Sequence, residues 1–121
     1  MIIDVILSAD PDRGTLLIWG VGQAGLEALL HGVTCLASGS APAYVLSPQP
    51  AIQGVTLEAK VTRADTGLRR IAADRYEWCL SRTEWDNVAG LIEPFRHDSA
   101  GFQFLSENDR WTVILAPTGR Y

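Results

Sequence analysis

Two apolar runs, IIDVILS (residues 2–8) and TLLIW (15–19), are separated only by ADPDRG. A link this short can fold the chain back beside itself but cannot carry it across a sheet, because a parallel crossover needs about a dozen residues or more. Pro11 fixes one backbone dihedral and Gly14 frees another, so the segment predicts a β-hairpin. A second hairpin is predicted at FQFLS and WTVILA, joined across ENDR. Between the two, ADTG turns the chain from a strand at 55–62 towards RYEWCLS.

Helical spacing interrupts the hairpins twice. Leu26, Leu29, Leu30, Val33, Leu36 and Ala37 form one apolar stripe and predict a helix over about 23–37, with Glu27 and His31 off the stripe. SGSAPA ends it, and YVLS reads as a short strand cut off by Pro48 and Pro50. From Gly54 the pattern alternates strictly, with Val55, Leu57, Ala59 and Val61 on one face and Thr56, Glu58, Lys60 and Thr62 on the other. That wet face predicts antiparallel pairing. SRTE is a capping box, in which Ser81 can accept from the Glu84 amide and the Glu84 carboxylate can reach back. Trp85, Val88, Ala89, Ile92 and Phe95 then share an inner face, and Pro94 is tolerated because the helix is ending. The expected fold is therefore α+β, a largely antiparallel sheet of about six to seven strands with two helices packed on one face. No linker divides the chain, so residues 1–121 are expected to form a single domain. LSADPDRGTLLI and LSENDRWTVIL echo each other, which reads as similar turn chemistry in two hairpins.

With 47% hydrophobic and 20% charged residues the composition is that of an ordinary globular domain. Cys35 and Cys79 stand apart, with no CxxC, and are expected to be reduced packing residues. A net charge of −4 argues against a nucleic-acid partner, which would call for clustered Lys and Arg. MIIDVILSAD has no basic lead and carries Asp4, so it does not read as a signal peptide. Every apolar run is interrupted well short of the roughly 18 residues a membrane span needs, so no membrane association is expected and the cytoplasm is the expected compartment. Between Gly14 and Leu57 the only charged residue is Glu27. Such a stretch is either a buried helix with uncharged loops or a surface to be covered by a partner or a second copy, as in a homodimer.

Gly20, Gly22 and Gly25 spell GxGxxG, the turn that can bring backbone amides to a pyrophosphate. A dinucleotide site also needs an acidic residue about 20 positions on, and between Glu27 and Glu58 there is none. Glu27, His31 and Cys35 recur at four-residue spacing on one helix flank, but a metal would need further ligands from elsewhere. His97, Asp98, Ser99 and Ser106 have no spacing that sets a base beside a nucleophile. No cofactor, metal site or catalytic set is expected. A small enzyme or ligand binder using the glycine turn at 20–25 and His31 is the rival reading. Trp78 and Trp85 fall on inward positions, whereas Trp19 and Trp111 fall at strand ends.

TLLIWG followed by AGLEALL, then SRTEWDNVAGLIEP and GFQFLSENDRWTVILAPTGRY, resembles the small bacterial immunity proteins of polymorphic toxin systems. The resemblance implies a cytoplasmic, non-catalytic, often acidic protein that caps and inhibits a toxin. It carries over no functional residue. From the residues themselves, the expected contact surface is a pair of acidic hairpin tips beside an aromatic: Asp10 and Asp12 at one, and Glu107, Asp109 and Trp111 at the other.

Overall fold

A computed structural model describes residues 2–10, 12–46 and 55–118. Pro11, Ser47, Pro48 and Pro50 lie outside the described residues. Along the chain run β1 (Ile2–Leu7), β2 (Gly14–Trp19), α1 (Gln23–Ser38), β3 (Ala43–Val45), β4 (Thr56–Val61), β5 (Gly67–Ala72), β6 (Arg75–Leu80) and α2 (Arg82–Ile92). A short 3₁₀ turn (Glu93–Arg96), β7 (Gln103–Glu107) and β8 (Trp111–Ala116) complete it.

The class is α+β with two helices, but the strands form two sheets, not one. Sheet A has the order β1-β2-β8-β7 and sheet B the order β3-β4-β6-β5. The outer pairs are antiparallel, as the short turns of β1–β2, β5–β6 and β7–β8 require, while β2 runs parallel to β8 and β4 parallel to β6. The expectation of a single sheet is thus corrected: the pairing is largely antiparallel, but there are two sheets, and each joins hairpins from distant parts of the chain through a parallel seam. The echo noted above has a spatial meaning, since Thr15, Leu16, Leu17 and Ile18 pair in register with Thr112, Val113, Ile114 and Leu115.

The chain order reads as ββαββ twice, β1–β4 with α1 and then β5–β8 with α2. Exchanging the two halves turns the order β1-β2-β8-β7 into β5-β6-β4-β3, which is sheet B. Each sheet therefore takes one hairpin from each half.

One core joins both sheets and both helices. It contains Ile3, Leu16, Ile18, Val113 and Leu115 from sheet A, and Leu57, Ala59, Tyr76, Trp78 and Leu80 from sheet B. α1 contributes Leu26, Leu29, Leu30, Val33 and Leu36, and α2 contributes Trp85, Val88 and Ile92, the stripes that helical spacing predicts. Trp78 and Trp85 meet nearly edge to face, with ring centroids 4.8 Å apart. The Trp85 indole also donates to the Lys60 carbonyl at 3.0 Å.

α1 is packed closely by β3, and its end is braced by α2. Tyr44 lies over Gly32, where an added Cβ would come within 2.7 Å of the ring. α1 has no basic residue in its last turn, yet its final carbonyls are served by α2, because the Arg82 guanidinium donates to Ser38 O at 2.8 Å and Ala37 O at 3.2 Å.

Candidate functional site

The parallel seam of sheet A sets the two acidic hairpin tips side by side. Gly14 pairs with Trp111, and the Gly14 amide donates to Arg110 O at 2.9 Å. Asp10, Asp12, Glu107 and Asp109 are all exposed. They do not form a purely acidic surface: Arg110 reaches Asp10 at 3.6 Å, and the cleft between the tips and β5, about 510 Å³, is lined by Arg69, Arg70 and Arg110 as well as Asp12 and Asp109. Trp111 corrects the expectation of an exposed aromatic. It is only 3% exposed, with its ring edge to face against Tyr76 at 5.3 Å. Burial of the Tyr76 ring also pushes its hydroxyl pKa up.

The α1 flank carries pairs, not a constellation. His31 Nε2 lies 3.6 Å from Cys35 Sγ. Glu27 instead engages Arg96 of the 3₁₀ turn at 2.9 Å, and Arg96 also holds Glu93 at 3.0 Å. Among the described residues no group of three His, Cys, Asp or Glu side chains is placed to hold a metal ion. At the glycine turn, Gly20 takes a left-handed φ of +61°, and Gly22 caps α1 in extended conformation. α1 then leads to β3 in the other sheet, so no βαβ crossover forms around the GxGxxG.

The outer faces of the two sheets differ sharply in chemistry. On sheet B the row running outward from β4 is Glu58, Glu77 and Arg69, with Lys60 next to it. Lys60 binds Glu77 at 2.6 Å and Glu58 at 3.5 Å, and Arg69 binds Glu77 at 2.9 Å. The hydrogen bonds from Lys60 and Arg69 hold the Glu77 carboxyl below its ordinary pKa, and Glu77 in turn raises Lys60. Cys79, buried on this face, has its thiol pushed up by desolvation.

Sheet A presents the opposite character. Registers across its strands place Ile2, Trp19 and Ala116 in one outer row, Asp4, Leu17, Ile114 and Phe104 in the next, and Ile6, Thr15, Thr112 and Glu107 in the third. Leu17, Ile114 and Ala116, with Trp19 packed against them, form an apolar cluster separate from the main core, and no helical residue joins it. Around it stand exposed apolar side chains: Ile2 at 44%, Ile6 at 47%, Phe102 at 52% and Phe104 at 42%. Phe102 and Phe104 lie with ring centroids 6.0 Å apart. Asp4 accepts from the Trp19 indole at 2.9 Å, which turns that carboxylate into the face.

The outer face of sheet A is thus a buried apolar cluster ringed by exposed apolar and aromatic side chains, with a more polar row at Thr15, Thr112 and Glu107 towards the mixed-charge cleft of the hairpin tips. The sequence signal for it is the unbroken apolar character of TLLIW and WTVILA, since strands dry on both faces do not alternate. No helix among the described residues is long and apolar enough to cross a membrane. Compared with protein-family models, curated proteins and solved structures, the chain matches none.

Proposed function

We propose that this chain is a non-catalytic binding protein of the immunity kind, acting in the cytoplasm by capping and inhibiting a toxin protein, with the outer face of sheet A as its docking surface. The contrast between the two outer faces carries the reading. Sheet B carries an ion-pair network on its outer face, beside the exposed Val45, whereas sheet A leaves Ile2, Ile6, Phe102 and Phe104 exposed around a dry centre. Exposed aromatics around an apolar centre are what a desolvated protein contact requires. The aspartates and arginines of the neighbouring tips would orient the partner and govern its rate of approach.

The test is paired substitution. Phe104→Glu puts a charge in the proposed contact, and Ile71→Glu puts the same charge at an exposed apolar position on sheet B. A partner captured from the source cell should bind the first variant at least about tenfold more weakly and the second as it binds the parent chain. Equal binding by both overturns the assignment of the face. For the rival, a small enzyme or ligand binder, nucleotide or divalent metal at 100 times its dissociation constant would stabilise the fold by about 2.7 kcal/mol.

A further inference from the structure

Four strands lie at sheet edges, and three of them are shielded. β3 is three residues long and packs on α1. β5 is bulged between Arg70 and Ala72 and abuts β7 and β8, while β7 is bulged between Phe104 and Ser106 and packs on α2 and β5. Shortness, bulges and covering elements are the ordinary means of closing an edge to further pairing. β1 has none of them. It is six residues long, regular along its register with β2, free of Lys, Arg and Pro, and no other described element packs along it to a comparable extent.

The hydrogen-bonding parity of that edge follows from the hairpin. The Ser8 amide donates to Arg13 O, which makes the 8·13 pair hydrogen-bonded, and the alternation then assigns Ile6, Asp4 and Ile2 to bonding with β2. The N–H and C=O groups of Ile3, Val5 and Leu7 therefore point to the open side. Their direction is independent of the outer face, where Ile2, Asp4 and Ile6 project.

We infer that β1 is a self-pairing edge, and that a second copy of this chain adds to it antiparallel as β1 on β1, in a register centred on Val5. Three observations select that occupant. A strand centred on Val5 opposes Val5 to Val5 and Ile3 to Leu7, so every outward backbone group meets its complement over most of the strand. The same register sets Asp4 opposite Ile6 of the second copy, whereas centring on Asp4 would oppose the two carboxylates. Antiparallel pairing also sends the acidic turns at Asp10 and Asp12 to opposite ends of the joint sheet, which separates the charge of a chain carrying a net −4. The product is an eight-stranded sheet in which the two apolar outer faces become one. A single strand pair is small against the about 1,200 Å² of a stable interface, so the dimer is a weak one that forms with concentration. This inference is independent of toxin binding, and Phe104 lies on the far edge of the sheet.

Sedimentation of the full chain from about 10 to about 500 µM, with amide exchange, tests it. A concentration-dependent dimer with the Ile3 and Val5 amides protected only at the high end is expected. Ile6→Lys and Ile6→Glu supply a register-specific readout at an exposed side chain. Facing Asp4 twice per dimer, the lysine should tighten association about threefold to tenfold and the glutamate should weaken it by a similar factor. A monomer throughout the range overturns the inference. A dimer indifferent to the sign of the charge at position 6, or one that leaves those amides unprotected, also overturns it.

Discussion

The Asn108 side-chain amide donates to the Leu68 carbonyl at 3.2 Å, tying the β7–β8 turn of sheet A to the edge strand of sheet B. The same nitrogen reaches Thr66 O at 3.1 Å, and Oδ1 accepts from the Arg110 and Trp111 amides at 2.8 and 2.7 Å. Asn108→Ala should cost about 2–4 kcal/mol in urea denaturation, because four bonds are lost together. Asn108→Asp, which keeps the acceptor side and loses both donors, should fall between the two.

Glycine 22 is replaceable, contrary to what the GxGxxG spacing suggests. It caps α1 at φ −71° and ψ 174°, no atom lies within 4 Å of an added Cβ, and the helix has no side-chain cap. Gly22→Ser should stabilise the protein by about 0.5 kcal/mol by supplying an acceptor for the first turn. Gly20→Ala should cost about 1 kcal/mol or more, since Gly20 sits at φ +61°. Thermal denaturation of both variants checks the opposite signs.

At the second helix only half of the capping box is made. Ser81 Oγ accepts from the Glu84 amide at 3.3 Å, while the Ser81 amide donates to Asp65 at 2.7 Å instead of to Glu84. Ser81→Ala should therefore cost about 1 kcal/mol, and Asp65→Ala should cost more than Glu84→Ala, which a denaturant midpoint series resolves.

Glu77 makes stability depend on acid. Its carboxyl pKa is held below the ordinary 4.5 by hydrogen bonds from Lys60 and Arg69. A carboxyl whose folded pKa is depressed contributes stability that is fully present above the unfolded value and is lost as pH falls through the folded one. Denaturation midpoints of the parent chain should decline as pH drops below about 4.5, and Glu77→Gln should flatten that decline. Lys60, raised by the same contact, acts at the other limit, where its contribution fades as pH climbs past its raised value.

What was legible in the sequence was local. Ser81 and the Trp85 stripe mark α2, Leu26 to Leu36 mark α1, and ADPDRG and ENDR mark their hairpins, because each depends on residues a few positions apart. The parallel seams were not legible, since nothing in TLLIW names WTVILA as its neighbour. β5 was not legible because adjacent Arg69 and Arg70 and a bulge break the alternation that marks a strand. Of the proposed contact residues, the acidic positions are exposed at adjacent tips, but Trp111 is drawn inward because its strand is central in sheet A.

The exchange of hairpins between halves has a consequence for how this chain reaches its native state. β2 borders β8, the strand that emerges last among those described, and β8 in turn separates it from β7. The opening hairpin is formed by neighbours and closes early, but its inner edge must wait, greasy and unpaired, for nearly the whole chain to be made. Pairings of such long sequence separation fold slowly and expose aggregation-prone intermediates. During synthesis the first half has no finished sheet of its own, and success depends on keeping TLLIW from other strands until its proper neighbour arrives.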